Sequence, residues 1–347
     1  MATIVMSDDG IVFDGTSLDE GPLGGAETSF VELANAFAQR GHDVLACTRC
    51  LTERVYRGVR WRPIEQGIPD QADLYIANRG DKLIRHCQDA HQTIFWIHNP
   101  AHYLLKARYQ WKLALRRPII VFSGPSHAGT YPGWAFGGGR EVVPYGVSDL
   151  FRHAHERQAP PFPRAIFTSN PLRSLDWLLN VWATRIHPAM PQAELHIFAG
   201  AATYGSAGDA KAEQMRPVLE QAAALSAQGV VLRGPVAKAR LVEELAAARV
   251  LLYRGDVGET FCSAVAEAQA MGVPVVVEAI ACLPERIRTG ETGFCVEDEE
   301  AFAAAALRLL REDGLWRDQH RAALARQRGW GWDQAAMAFE RIGGLTG

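Results

Sequence analysis

The sequence predicts an α/β protein built from two doubly wound parallel-sheet domains. Strand-like and helix-like segments alternate along most of the 347 residues, an order typical of parallel strands covered by helices. A proline-rich stretch at 149–164, with Pro160, Pro161 and Pro163, interrupts this alternation and indicates a linker. A second strand–helix series follows it. We therefore expect two Rossmann-like domains that face each other, with ligands bound in the cleft at the carboxyl ends of the strands.

The first series begins with the strand TIVM, a loop and the helix GAETSFVELANAFAQRGH. Five more strand-like segments follow, namely DVLACT, DLYIAN, TIFWIHN, IIVFS and EVVPYG. These segments define an N-terminal domain over residues 1–155. The C-terminal stretch, about 330–347, contains the helical segment WDQAAMAFERI, and we expect it to pack back on this domain.

The second series defines a C-terminal domain over residues 160–329. Its strand-like segments are RAIFTS, ELHIFAG, VVLRG, RVLLYRG, PVVVE and GFCVE. Helices are expected from Ser174, near 209–225, near 237–247 and over the segment that precedes PVVVE.

Composition argues against several functions. The net charge of −3 and the pI near 6.4 give no general attraction for nucleic acid. The N-terminus lacks the pattern of a signal peptide, and no apolar run approaches the roughly 20 residues of a membrane span. We therefore expect a cytoplasmic protein.

Cysteine and acidic residues do not form a metal pattern. Cys47 and Cys50 make a single C-x-x-C without a second pair, so we expect reduced thiols rather than a zinc or redox site. No D-x-D triplet, no His/Cys/Asp cluster with metal-ligand spacing and no G-x-S-x-G elbow occurs. We expect no metal and no cofactor.

One segment carries two acids in apolar surroundings. In GETFCSAVAEAQAMGVPVVV, Thr260 could cap a helix that Gly272 and Pro274 end. Glu259 and Glu267 are eight residues apart, about 12 Å along a helix. That spacing suits a ligand that lies along the helix.

The amide groups between the two acids would favour an anion in the middle of that ligand. They belong to the helix start, at Thr260, Phe261, Cys262 and Ser263. Hydroxyls, then phosphate, then hydroxyls describe a nucleotide sugar. The alternative places Glu259 in solvent and pairs Glu267 with a basic residue, and the spacing alone favours neither.

The same segment resembles the E-x7-E signature of retaining family-4 glycosyltransferases of the GT-B fold, with Glu259 and Glu267 at its two acids. The likeness continues in order along the chain, in GPLGGAETSFVELANAFAQRGHDV, VPYGVSDLF, PLRSLDWLLNVWATRIHPAMPQAELHIFAG and LPERIRTGETGFCVEDEEAF. Tyr145 stands where the family usually has Asn. The resemblance implies an acceptor-side N-terminal domain and a nucleotide-sugar-binding C-terminal domain.

The resemblance assigns further residues. Gly24 and Gly25, before the helix that contains Glu27, match the family's G-G-x-E loop, which closes over the donor phosphate or the acceptor. His98, at the end of a strand, matches a histidine that contacts the hydroxyls of the transferred sugar. For a single histidine without this match, a buried structural role would be the better interpretation.

Arg173 matches the position of a family Lys that neutralises the diphosphate. The Arg that precedes that Lys by five residues is replaced by Thr168 here, so one cation is missing. Arg254, Arg233 or Lys238 could compensate, although for Lys238 we favour a solvated charge.

The stretch 101–118 interleaves basic residues with Leu, Tyr and Trp. Such a helix could rest on anionic lipid, as in some lipid-glycosylating relatives. Because its periodicity is imperfect, a packed helix with a solvated charged face is the favoured interpretation.

The resemblance therefore implies a metal-independent retaining glycosyltransferase that moves a sugar from a nucleoside-diphosphate-sugar to a hydroxyl acceptor. The acceptor would be a saccharide or a glycolipid in cell-envelope glycan synthesis, at the inner face of the membrane if 101–118 binds lipid. Two alternatives stay open: a GT-B nucleotide-sugar epimerase, and a catalytically idle nucleotide-sugar-binding protein.

Overall fold

The computed structural model describes residues 1–201 and 205–345, which fold into two α/β units. The first unit contains Met1–Glu20, Gly24–Gly146 and the C-terminal segment from Trp330. The second contains Gly21–Leu23 and Val147–Gly329. In both units, a sheet of mainly parallel strands carries helices on its faces.

The first unit has eight described strands in the order β3-β4-β2-β1-β5-β6-β7-β8, and every neighbouring pair is parallel except β3 with β4. The strands are β1 (Thr3–Asp8), β2 (Asp43–Thr48), β3 (Arg54–Tyr56), β4 (Val59–Pro63), β5 (Gln71–Asn78), β6 (Asp89–Trp96), β7 (Ile119–Phe122) and β8 (Gly139–Val142). Its first helices are α1 (Ser17–Glu20), α2 (Gly25–Gln39), α3 (Ala107–Arg116) and α4 (Pro125–Gly129). Single 3₁₀ segments cover Ile64–Gln66, Leu83–Arg85 and Ala101–Leu105.

The second unit has six described strands, all parallel, in the order β11-β10-β9-β12-β13-β14. They are β9 (Arg164–Phe167), β10 (Glu194–Ile197), β11 (Val230–Leu232), β12 (Val250–Leu252), β13 (Val275–Glu278) and β14 (Gly293–Val296). Its helices are α5 (Asp149–Arg152), α6 (Leu175–Val181), α7 (His187–Ala189), α8 (Gly205–Ala224), α9 (Lys238–Ala246), α10 (Ser263–Ala270), α11 (Leu283–Arg286), α12 (Glu299–Arg311) and α13 (Asp313–Gln327). A π-helical turn over Trp182–Ile186 joins α6 to α7, and a 3₁₀ segment covers Ser226–Gln228.

The last helix, α14 (Trp332–Ile342), belongs to the first unit and packs against α2. Phe339 meets Phe37 edge to face, with ring centroids 6.4 Å apart. The buried Glu340 accepts hydrogen bonds from Arg40 and His42, at 2.7 Å from Arg40 Nη2 and 3.0 Å from His42 Nε2. Apolar packing and a charged anchor thus hold the C-terminal segment on the first unit.

Strand order fixes where each sheet can bind a ligand. In the first unit the connections reverse direction at β1 and β5, and in the second at β9 and β12. At such a reversal the loops leave the carboxyl ends of the two strands on opposite faces, which opens a crevice. Residues that follow β1, β5, β9 and β12 are therefore the best placed for function.

Two elements differ from the sequence prediction. The strand expected over EVVPYG ends at Val142 because Pro144 has no N–H to donate to a ladder. The hairpin of β3 and β4 was not predicted. Its turn, Arg57–Gly58, has φ of 49° and 81°, the paired positive values of a tight hairpin turn.

Among the described residues, none of the helices combines the length and the apolar character that crossing a bilayer requires.

Gly272 ends α10 in the left-handed conformation, with φ 69°, as the sequence predicts. A Cβ at this position would lie 2.3 Å from His320 Nδ1 and 2.8 Å from Leu324 Cγ. We expect Gly272→Ala to lower the free energy of unfolding by more than the roughly 1–2 kcal/mol that a left-handed Cβ costs.

Gly290→Ala is the matched control, because Gly290 has φ 86° and nothing within 4 Å of its added Cβ. Thermal unfolding of both variants separates backbone strain from the clash. Equal losses of stability in the two variants would contradict the packing described for Gly272.

Candidate functional site

The central strands of the second unit bring Arg173 and Glu259 together. Arg173 follows β9 and Glu259 follows β12, and these strands are neighbours in the sheet. The Glu259 carboxylate is buried, with the residue 7% exposed. Its Oε1 accepts hydrogen bonds from Arg173 Nη1 and from the Tyr253 hydroxyl. The carboxylate therefore has both a charge partner and a neutral donor.

The turn before α6 gives Arg173 its position. Arg173 N donates to Asn170 O at 2.9 Å, and Ser174 has φ 59°. The Ser174 hydroxyl donates to Gly255 O at 3.0 Å. This last bond connects the loop after β9 to the loop after β12. It therefore holds the loops that carry Arg173 and Glu259 next to each other.

Tyr253 remains a hydrogen-bond donor over the physiological pH range. Burial, with smaller contributions from Cys262 and Glu259, raises the pKa of its phenol far above the usual value near 10. A protonated phenol donates a hydrogen bond to Glu259. Because it is neutral, it does not act as a second anion that could attract the Arg173 guanidinium.

Helix α10 begins later than predicted. Its first residue is Ser263, and Cys262 precedes it with φ 63° and no side-chain capping bond. Thr260 therefore does not cap the helix, and that prediction is wrong. The chain turns through Glu259 toward Arg173 before the helix starts, so Glu259 lies in a loop rather than on the helix that carries Glu267.

The first amide groups of α10 have no acceptor within the helix, as in every helix start. Thr260, Phe261 and Cys262 are buried just before them, and Ser263 is partly exposed. The helix dipole adds a partial positive charge at this end. The arrangement is suited to an anion, with Glu259 on the adjoining loop.

Glu267 lies on α10 and contacts a cation. Lys238 Nζ, on α9, is 2.5 Å from Glu267 Oε1, and both side chains are largely buried. The prediction that Lys238 is a solvated charge is wrong. The alternative interpretation of this segment is therefore correct in one part and wrong in the other. Glu267 is paired with a basic residue, as that interpretation expects, but Glu259 is buried and does not lie in solvent.

Arg254 contacts different residues from those that Arg173 contacts. Its Nε is 2.9 Å from Glu278 Oε2, and its guanidinium stacks 4.9 Å from the centroid of the Trp177 ring. Arg233 is exposed at the end of β11. Thr168 directly follows β9 and is close in sequence to the Arg173 turn.

The first unit has its own polar network at the ends of β1, β5 and β6. Asn78 Nδ2 donates to Asp8 Oδ2 at 2.6 Å, and Asn78 Oδ1 lies 2.5 Å from His98 Nε2. Because the Asn78 amide nitrogen faces the carboxylate, its oxygen accepts the Nε2–H of His98. Nδ1 of His98 then accepts the hydroxyl of Tyr145, 2.5 Å away.

His98 is therefore a neutral imidazole held between Asn78 and Tyr145. Burial, together with the charges of Arg79 and His127, lowers the pKa of His98 well below its ordinary value of 6.5. Its ring also lies 4.7 Å from that of Trp96.

Arg79 connects this network to the start of α2. It contacts Asp8 Oδ1 at 2.9 Å and Glu27 Oε1 at 2.7 Å. Gly24 caps α2 with its carbonyl oxygen, which accepts Thr28 N at 2.8 Å. The Gly25 carbonyl oxygen accepts the Ser29 hydroxyl at 2.8 Å. The predicted glycine loop thus lies at a helix start whose Glu27 is buried and paired.

Residues 163–312, which include most of the second unit, match a family model described as "Glycosyl transferases group 1". D-inositol 3-phosphate glycosyltransferase of Streptomyces griseus is 39% identical over 106 residues, 30% of this chain and 22% of that protein. The Streptomyces scabiei protein of the same name is 33% identical over 115 residues, 33% of this chain and 26% of that protein. The chain thus matches only about a quarter of the length of these curated relatives.

Solved structures match nearly the whole chain. Sucrose-phosphate synthase from Thermosynechococcus elongatus has a TM-score of 0.75 at 16% identity and covers 99% of this chain and 98% of its own. Anabaena HepE in complex with UDP-glucose has a TM-score of 0.72 at 13% identity, with 99% of each chain covered. The fold is GT-B. The predicted fold class, with two parallel-sheet α/β domains, is confirmed.

Several residues of these two polar networks are not indicated by the sequence. Asp8, Asn78 and Tyr253 each stand at or directly after the end of an apolar strand, and Arg79 follows Asn78. The pattern that could have indicated them is a polar residue at the end of a buried strand at the centre of a doubly wound sheet. The sequence alone does not give the strand order, so it does not show which strands are central.

The stretch 101–118 forms a 3₁₀ segment and α3. Lys112 is buried and its Nζ lies 2.5 Å from Asp81 Oδ2, so it does not belong to a solvated charged face. Trp111 and Leu115 are instead 49% and 72% exposed, and the Arg85 guanidinium lies 5.8 Å from the Trp111 ring centroid. The exposed side of α3 is thus mixed, both apolar and basic.

In the part of the chain that the structure describes, no group of three His, Cys, Asp or Glu side chains could hold a metal ion. All six cysteines are thiols, and Cys47 and Cys50 are buried.

The lowered pKa of His98 predicts a pH dependence of stability. The unfolded chain binds a proton at His98 near pH 6.5, whereas the folded chain does so only at much lower pH. The free energy of unfolding should therefore fall as the pH drops below 6.5, by up to about 1.4 kcal/mol per pH unit for this group.

Chemical denaturation at pH 7.5, 6.0 and 5.0 measures this slope. His98→Gln should reduce it, whereas His86→Gln, which changes an exposed histidine, should not. An unchanged slope in His98→Gln would show that His98 does not titrate as described.

Proposed function

We propose that the chain is a retaining, metal-independent glycosyltransferase. It would transfer a sugar from a nucleoside-diphosphate-sugar to a hydroxyl acceptor, and it would need no cofactor. The observation that carries this proposal is the buried Glu259 carboxylate, held by Arg173 and Tyr253 beside the start of α10. The group 1 match over 163–312 and the UDP-glucose bound by HepE support a nucleotide-sugar donor.

Glu259 would act at the transferred sugar. Arg173 and Tyr253 both bond its Oε1, which fixes the carboxylate in one orientation. A fixed carboxylate can accept hydrogen bonds from the hydroxyls of a sugar ring. The start of α10, four residues along the chain at Ser263, would then lie by the phosphates.

Arg173 would stabilise the leaving group. As the bond from the sugar to the diphosphate breaks, negative charge grows on the phosphate oxygens, where a nearby guanidinium and the α10 amides act most strongly. Arg173 is 38% exposed, so a ligand can reach it while it contacts Glu259. The departing phosphate would take the proton of the acceptor hydroxyl on the same face, as the family resemblance implies.

Glu267 would bind the ribose of the donor, and Arg254 would lie at the edge of the donor site. Because Lys238 contacts Glu267 at 2.5 Å, the ribose would share that carboxylate with Lys238. The charge of Lys238 would offset part of the cost of burying the Glu267 carboxylate.

The first unit would serve the acceptor and the hydroxyls of the transferred sugar. His98 would contribute a neutral, fixed imidazole, and the glycine loop at Gly24 and Gly25 would approach the donor phosphate or the acceptor. The acceptor would be a saccharide or a lipid-linked sugar in cell-envelope glycan synthesis. Exposed Trp111 and Leu115 on α3, with nearby cations, favour contact with the inner face of a membrane.

A catalytically idle nucleotide-sugar-binding protein is the second candidate. Thr168 favours it, because a residue without charge stands where the family has a cation. Each of Glu259 and Glu267 also has a cationic partner of its own, so binding alone could account for the site.

A donor panel with a chelator arm tests the proposal. Purified chain is screened by thermal shift against UDP-, GDP-, ADP- and dTDP-sugars, and the best donor is incubated with saccharide and lipid-linked acceptors in EDTA. We expect transfer in EDTA with retention of the anomeric configuration, read by NMR.

Other results would reject parts of the proposal. If the donor binds but is neither transferred nor slowly hydrolysed, the result would favour the idle protein. Epimerised donor would favour an epimerase. Activity lost in EDTA and restored by Mn²⁺ or Mg²⁺ would reject metal independence.

The two acids should separate binding from turnover. Glu267→Gln should weaken nucleoside diphosphate binding by roughly tenfold, the effect of one strong hydrogen bond. Glu259→Gln should leave that binding largely intact while turnover falls sharply, because its contacts strengthen only as the sugar departs.

Glu299→Gln is the control, since it removes the partner of Arg185 in the same unit without touching either acid. Calorimetry and turnover are measured for all three variants. A reversed pattern, with Glu259 needed for diphosphate binding and Glu267 only for turnover, would reverse the donor orientation.

A further inference from the structure

Arg286 occupies an unusual place beside the start of α10. It is the last residue of α11, in the segment that follows β13. Its guanidinium carbon lies 4.1 Å from the centroid of the Phe261 ring. Phe261 directly precedes Cys262, the residue that caps α10. The guanidinium is thus adjacent to the loop that carries Glu259.

Among the described residues, no carboxylate forms an ion pair with Arg286. Its Nε and Nη2 are buried without a hydrogen-bond partner, and no carboxylate of the described residues lies within ion-pair distance of it. Buried polar groups are normally paired, because an unpaired one loses its hydration without compensation. An arginine left in this way requires an explanation.

The surroundings of Arg286 do not cancel its charge. Its electrostatic neighbours are Cys262, Cys282 and Arg326, with a smaller contribution from Glu285. Burial raises the pKa of Cys262 well above its usual value and that of Cys282 to about 12, so both thiols are neutral. Arg326 adds positive charge. Although burial lowers the pKa of Arg286, a guanidinium stays protonated at neutral pH.

Three other cations of this region are paired. Arg173 contacts Glu259, Lys238 contacts Glu267 and Arg254 contacts Glu278. Each of these pairs is close to neutral as a unit. Arg286 therefore supplies positive charge that its surroundings do not balance.

We propose that Arg286 is the second cation of a diphosphate site at the start of α10, in place of the charge missing at Thr168. This inference rests on the proposed nucleotide-sugar donor. Arg286 acts as a positioning residue: from behind Phe261 it raises the positive potential at the α10 amides, and its flat guanidinium holds the Phe261 ring and the adjoining loop in place. The ligand class is a diphosphate, whether inorganic or part of a nucleotide.

Calorimetry with inorganic pyrophosphate on the full chain tests the charge without requiring a known base. Arg286→Met keeps much of the packing and removes the charge, whereas Arg286→Lys keeps the charge. Phe261→Leu removes the ring and keeps Arg286. Arg288→Met, an exposed arginine on the same segment, is the control. Each variant is measured at low and high salt, with its melting temperature.

We expect Arg286→Met to weaken pyrophosphate binding about tenfold and to reduce its salt dependence. Arg286→Lys and Phe261→Leu should keep most of the affinity, and Arg288→Met should match the wild type. A structural role alone would not change the salt dependence. If Arg286→Met does not fold, Arg286→Gln, which also removes the charge, takes its place and should show the same loss of affinity relative to Arg286→Lys.

Three results would overturn the inference: wild-type affinity in Arg286→Met, a loss in Phe261→Leu as large as in Arg286→Met, or no pyrophosphate binding by the wild type. Transfer from a nucleotide sugar is assayed separately. Transfer by the wild type with unchanged Arg286→Met affinity would reject only this inference. Pyrophosphate binding that depends on Arg286, without any transfer, would reject only the proposed function.

Discussion

The cost of burying the Glu259 carboxylate governs the arrangement of the second unit. A charge taken out of water needs a partner in good geometry, or it protonates. Here Arg173 and Tyr253 meet one carboxylate oxygen. They can do so because β9 and β12 are adjacent at the centre of the sheet and their loops are tied through Ser174 and Gly255. The position of Glu259 also sets where α10 can begin, and with it the direction of the first α10 amides.

The first unit meets the same constraint with different residues. Asp8, at the end of β1, is fully buried and is held by Asn78, the last residue of β5, and by Arg79, which follows it. The orientation of Asn78 then determines which nitrogen of His98 carries the proton. In each unit, an acid at the point where the sheet reverses direction organises the polar groups around it. This is the consequence of a doubly wound sheet whose central strand ends open into a crevice.

The sequence was sufficient where structure depends on local pattern. The alternation of apolar runs and helices predicts both sheets, and Gly272 followed by Pro274 predicts the end of α10. It was not sufficient where distant residues compete. Thr260 is a good capping residue, but α10 starts at Ser263, and the preceding loop carries Glu259 to Arg173, 86 residues away.

Charge pairing shows the same limit at the candidate site. Lys238 and Glu267 are 29 residues apart, and no local pattern indicates that they meet. The sequence does not single out Arg286, because an arginine after Pro-Glu in a short helix resembles a solvated surface residue. Its contact with Phe261 joins residues that are 25 positions apart in the sequence. By contrast, Glu259 and Arg173 were found from the sequence because a family resemblance carries information about non-local contacts.

The central claim is that the Arg173–Glu259 pair serves a departing diphosphate rather than the stability of the fold. The most direct measurement is kcat/KM for the best donor, with the melting temperature determined on the same preparation of Arg173→Met and Arg173→Lys. A charge-assisted hydrogen bond contributes about 1.5–3 kcal/mol, so kcat/KM should fall roughly 10- to 100-fold or more in Arg173→Met. Arg173→Lys should recover only part, because an ammonium lacks the planar fork of a guanidinium. A lower melting temperature with unchanged kcat/KM of the folded fraction would contradict the account and place the phosphate site elsewhere.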